Sequence, residues 1–139
     1  MRAALVLTLA FLAGCGALGR GTWDDDPGNW GRAFASAPPP GAVLVHSRYT
    51  RSAPFARRFE AYFHLAASAD LYRELVRDDA IVRVHARDLR WARTEATPGW
   101  FAPKPPHSYD VFALAAPGRE FRIFVDRRTR ELFVTDRHL

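Results

Sequence analysis

The chain has 139 residues, with 20 basic against 15 acidic side chains, a formal net charge of +5 and one cysteine. That length holds one ordinary domain rather than two, and a single cysteine excludes an internal disulfide framework, so stability must come from an apolar core. Lys104 is the only lysine, but the chain is also rich in Ala, Gly and Pro, as GC-rich coding produces, so the arginine bias does not by itself mark an anion-binding protein.

Residues 1–14 follow the pattern of an export signal: Arg2, an apolar run over residues 3–12, then small residues. The run is too short for a transmembrane helix, which takes about 20 residues. The quartet Leu12-Ala13-Gly14-Cys15 resembles the lipobox of bacterial lipoproteins. The resemblance implies a cut before Cys15 and lipidation of its sulfur, and two or more acyl chains hold a protein stably at a membrane. Gly16, not Asp, follows the cysteine, which by the same resemblance implies the outer membrane, facing the periplasm, if the source is Gram-negative. Export argues against nucleic acid as a partner. The organisation read from the sequence is a lipoprotein signal peptide over 1–14, a tether with a short helix and a Pro-rich linker over 15–40, and a single α+β domain over 41–139.

Within the tether, Asp26 before Pro27 reads as an N-cap followed by a first-turn proline. Trp30 and Phe34, four apart, share one face of the short helix that follows, and Pro38, Pro39 and Pro40 cannot continue it. Asp24, Asp25 and Asp26 lack the alternating ligands and closing Glu of a calcium loop, so they read as capping and solvated residues. From residue 43 the period becomes two: Val43, Val45, Ser47 and Tyr49 fall on one face of a strand, Leu44, His46 and Arg48 on the other. A second strand alternates Phe59, Ala61, Phe63 and Leu65 with Arg58, Glu60, Tyr62 and His64, and the short link predicts a hairpin. Ser68 caps a helix whose stripe is Leu71, Tyr72, Leu75 and Val76. Residues 81–86 read as a strand, although Arg83, Arg87 and Arg90 also fit a helical face. Residues 109–114, 121–125 and 132–135 read as a meander with turns at 116–118 and 126–130. The expected fold is therefore α+β: an antiparallel sheet of about five or six strands, one main helix packed on one face, and a short N-terminal helix.

No nucleophile elbow, phosphate loop or close histidine pair occurs, and no second cysteine completes a thiolate metal site, so no catalytic residue, metal or cofactor is assigned. His46 and His64 could meet across the hairpin. The most distinctive internal stretch, Thr97-Pro-Gly-Trp100-Phe101-Ala-Pro103-Lys-Pro105-Pro106-His107, offers two readings: a rigid aromatic ledge that holds a ligand or partner, or a loop pinned over the core by Trp100 and Phe101. Its Pro-x-Trp-Phe-x-Pro pattern, followed by a meander, loosely resembles small bacterial envelope proteins of unknown function, a resemblance that brings no site residues. Arg119, Arg122, Arg127, Arg128 and Arg130 make the last hairpins basic, either as a solvated rim or as a surface attracted to anionic envelope polymer or lipid headgroups. The candidate contacts are thus Trp100, Phe101, Arg122 and Arg128, with Cys15 as the lipidation site. The expected role is non-catalytic binding or support at the cell envelope, toward an envelope protein or anionic polymer; the alternative is a periplasmic ligand sensor or enzyme using a pocket near Trp100 and Phe101.

Overall fold

The computed structural model describes residues 19–52, 58–85, 91–101, 103 and 108–138. In chain order these form β1 (Gly21–Asp24), α1 (Asn29–Phe34), β2 (Leu44–Arg51), β3 (Phe59–Leu65), α2 (Ala69–Leu75), β4 (Ile81–Val84), β5 (Tyr109–Ala116), β6 (Arg119–Asp126) and β7 (Leu132–His138). All seven strands join one antiparallel sheet in the order β1-β2-β3-β7-β6-β5-β4. The chain therefore runs as a three-stranded meander, crosses behind the sheet through α2 to the far edge, and returns strand by strand until β7 closes against β3.

The predicted hairpin and C-terminal meander are present, and the protein is mostly β. Two expectations need correction. The sheet has seven strands rather than five or six, and instead of one main helix there are two helices of six and seven residues. The added strand is β1, which lies in the stretch read as tether. Four residues are too few for period two to register in a sequence. The strand exists because the edge of β2 offers hydrogen-bond partners and because Trp23 packs on Tyr49, with ring centroids 5.9 Å apart. β1 pairs with β2, and Trp30 of α1 is buried in the core of the same sheet.

Both faces of the sheet are covered, by different means. On the first face, Tyr49, Phe63, Leu65, Phe112, Phe121, Ile123, Leu132 and Val134 pack with Trp30 and Phe34 of α1 and Leu71 and Tyr72 of α2. Trp30 and Phe34 do share a helix face, at 4.6 Å, and both reach Phe63. Ser68 caps α2 as expected, its hydroxyl accepting from the Leu71 N–H at 3.2 Å. The cap of α1 is Gly28 rather than Asp26, whose carboxylate instead accepts from the Gly28 N–H at 2.7 Å and pairs with Arg32. The helix starts later because Pro27 and Gly28 are spent on the turn that Asp26 closes. On the second face, Tyr62, Tyr109, Val111, Phe124 and Phe133 are roofed by an irregular segment carrying Trp91, Ala96, Trp100 and Phe101.

A bulge in β2 corrects the predicted faces of that strand. The register against β3 slips between Leu44 and His46, so Leu44 joins Tyr49 on the helix-covered core while Val45 is left 42% exposed. One extra residue reverses every side chain before it, which no alternation rule can anticipate. Turn chemistry elsewhere follows the sequence. Gly118, with φ of 69°, occupies the left-handed position after Pro117 in the β5–β6 turn, and the Asp126 carboxylate holds the β6–β7 turn by accepting from the N–H groups of Arg128 and Thr129, both at 2.8 Å.

Candidate functional site

The roofed face carries most of the polar side chains that the core does not need. Register fixes their neighbours. One row across the sheet runs Asp24, Arg48, Tyr62, Thr135, Arg122 and Ala113, and the next runs Thr50, Glu60, Arg137 and Glu120. A third brings His46 beside His64 and then Phe133 and Phe124.

The roof segment is latched to this face by hydroxyl groups. Tyr62 Oη donates to Glu60 Oε2 at 2.5 Å, and Thr94 Oγ1 donates to the same oxygen at 2.6 Å. Thr97 Oγ1 lies 3.1 Å from Tyr62 Oη and accepts from the Thr94 N–H at 2.9 Å. Burial, together with the adjacent Glu60 carboxylate, pushes the Tyr62 phenol above its ordinary pKa, so Tyr62 stays a proton donor. Arg93 ties the segment to itself, donating through Nη1 to the Phe101 carbonyl at 2.7 Å and through Nη2 to the Pro98 carbonyl at 3.1 Å. Glu60 Oε2 thus accepts from two hydroxyl groups, one on β3 and one on the roof segment. The cluster is suited to fastening a loop.

Phe101 is fully buried, ringed by Tyr62, Trp91, Trp100, Phe124 and Phe133 at centroid distances of 5.0 to 6.1 Å. Its ring is enclosed by protein, and the segment that carries it lies over the second face. Trp100 is only half-buried and stacks on His46 at 5.4 Å. His46 in turn faces His64 at 6.1 Å, the meeting expected from the hairpin. His64 stacks flat on Phe133 and lies 3.6 Å from Glu131, while His46 lies 3.4 Å from Asp25. Burial, aided by His46, holds the His64 imidazole below its ordinary pKa against the opposing pull of Glu131. Among the described residues, no three His, Cys, Asp or Glu side chains are arranged to hold a metal ion.

The three consecutive aspartates each have a structural partner. Asp24 pairs with Arg48, Asp25 accepts from the Ser47 N–H at 2.8 Å, and Asp26 closes the turn before α1. The basic C-terminal hairpins do not form one patch. Arg119 points to the helix-covered face and binds Asp136 through two 2.8 Å bonds, whereas Arg122 lies on the roofed face. Arg127 binds Asp110, Arg130 lies over the Tyr72 ring, and Arg128 stands exposed on the β6–β7 turn. Alternation separates the arginines that sequence proximity had grouped. Cys15, Lys104, Pro105, Pro106 and His107 lie outside the described residues.

Sequence reading missed Trp91, Thr94, Thr97, Thr135 and Arg137 as members of this face. The parity of Thr135 and Arg137 with Phe133 was available, but nothing local says that a loop folds back over that parity. No protein-family model, curated protein or solved structure matches the chain.

Proposed function

We propose that this chain is a lipid-anchored protein of the cell envelope whose domain binds or supports a partner rather than catalysing a reaction. The observation that supports the non-catalytic reading is that the hydroxyl cluster on the roofed face, Glu60, Tyr62, Thr94 and Thr97, is engaged in fastening the loop. The alternative of a sensor or enzyme working beside Trp100 and Phe101 loses Phe101, because protein fills the space around its ring. What stays available to a partner is the half-buried Trp100 stacked on His46. Tryptophan is among the side chains enriched as anchors of protein contacts, which favours an envelope protein over an anionic polymer as the partner.

The anchoring half of the reading rests on the Leu12-Ala13-Gly14-Cys15 motif. Intact mass and membrane fractionation of the wild type beside Cys15→Ser test it. Acylated, membrane-bound wild type and unacylated variant are expected; an unmodified, soluble wild type removes the anchor and reopens the search to soluble partners.

A further inference from the structure

The helix-covered face is left open between its two helices. α1 sends Trp30 and Phe34 onto Phe63, and Phe34 also reaches Phe121, whereas α2 sends Tyr72 onto Phe112. The helices flank a cleft of about 290 Å³. Its floor is one row of the sheet, formed by Ile81 of β4, Leu114 of β5 and Phe121 of β6, and its walls include Phe34 of α1 and Leu75 of α2. Phe34, Leu75, Ile81 and Leu114 are each only half-buried. Four apolar side chains that pack on the core therefore also face solvent at one opening.

The rim of that opening is negative. Glu74, on α2, and Asp78, in the turn that leads into β4, stand exposed on it. Glu74 has Arg77 near it at 3.9 Å, but both side chains are more than half exposed, where an ion pair holds little. Asp78 accepts from the Ala80 N–H through Oδ1 at 2.9 Å, which leaves further acceptor sites on the same carboxylate. Among the described residues that line the cleft, Arg119 is the one cation. Its Nε and Nη2 both donate to the buried Asp136 carboxylate at 2.8 Å, so its charge is matched from within. The chain as a whole carries +5, so the negative rim is a local feature.

We propose that this cleft binds a small organic cation with an apolar body, such as an alkylammonium ion. The hydrocarbon part lies over Leu75, Ile81 and Leu114, where it removes exposed apolar surface from water, and the ammonium group meets Glu74 and Asp78 at the rim. The volume suits a small solute, since it stands near the lower end of the roughly 300–1,000 Å³ that ligand sites span. A carboxylate or phosphate head would face the two rim carboxylates and find Arg119 already engaged, and a neutral head would gain no attraction from the rim charge. The cleft lies across the sheet from Trp100, so the assignment goes beyond the partner contact proposed there and holds whether or not Cys15 is acylated.

Methyl NMR spectra of the purified full chain, titrated with hexylammonium chloride, hexanol or sodium hexanoate at equal ionic strength, test the assignment. The three probes share one hydrocarbon body and differ in the charge of the head. Saturable shifts of the Leu75, Ile81 and Leu114 methyl signals are expected with hexylammonium, at an affinity about threefold or more above that for hexanol, with hexanoate weakest. Glu74→Gln, a change at an exposed side chain that leaves the core intact, should weaken hexylammonium binding about threefold and leave hexanol unchanged. Added sodium chloride should act in the same direction by screening the rim. Absence of saturable shifts at these methyl groups, an affinity for hexanol or hexanoate equal to that for hexylammonium, or wild-type hexylammonium affinity in Glu74→Gln would overturn the proposal.

Discussion

Phe101→Ala removes a fully buried ring that touches five other aromatic side chains. Truncation to alanine withdraws on the order of 120 Å² of apolar surface from the core, worth about 3 kcal/mol at roughly 25 cal/mol per Å². The hole left by the ring adds up to about 2 kcal/mol if the surroundings stay put. They are constrained to do so, because Arg93 clamps the carbonyls of Phe101 and Pro98 and the threonine cluster clamps the segment before them. The expected loss is therefore about 3–5 kcal/mol, or a fall in Tm of roughly 12–20 °C for a domain of this size. Urea denaturation followed by circular dichroism measures the first and a thermal melt the second. Trp100→Ala is the internal control. Half-buried and in ring contact with His46 and Phe101, Trp100 should cost about 2 kcal/mol, and in the proposed role its loss should abolish partner capture while the domain stays folded. If Phe101→Ala lowers Tm by less than Trp100→Ala does, the loop is not pinned as described and the assignment of core and ledge is reversed.

Arg119→Met should destabilise by about 3 kcal/mol by stranding the buried Asp136 carboxylate, and adding Asp136→Asn should restore part of it; a double variant no more stable than the single would show that the pair is not the cause. Tyr62→Phe keeps the ring but withdraws its hydroxyl from Glu60 and Thr97, at an expected cost of about 1–2 kcal/mol. A urea midpoint equal to that of wild type refutes the latch. His64 has a pKa lowered by burial, so the unfolded chain binds its proton more readily than the native one. Its contribution is fully present above about pH 6.5 and is lost as the pH falls below that value toward the folded-state pKa. Wild type should accordingly lose more stability between about pH 7.5 and pH 5.5 than His64→Phe does; equal losses would place the effect on other groups.

Local physics made part of this protein legible in its sequence. Alternation over residues 59–65, and short β-prone runs between turn residues over 121–125 and 132–135, report strands, and those strands form. The expected hairpin left His46 and His64 able to meet, because a short link allows little else, and the strand register pairs them. The Ser68 cap and the Pro117-Gly118 turn were equally readable, each depending on residues only a few positions apart.

What depended on distant residues was not readable. β1 is a strand only because β2 presents an edge to it, and the bulge at Leu44–His46 reverses faces only through its pairing with β3. Whether Phe101 is core and Trp100 ledge follows from which sheet surface the segment folds over, and whether five arginines make a patch follows from the side of the sheet each one meets. The sequence by itself determined the antiparallel sheet, its hairpins and their turns, since these arise from neighbours in the chain. Only the tertiary structure decided the roofed second face, which brings Trp91 against Phe124 and Arg137, because burial is a property of surroundings that residues far apart in the chain supply.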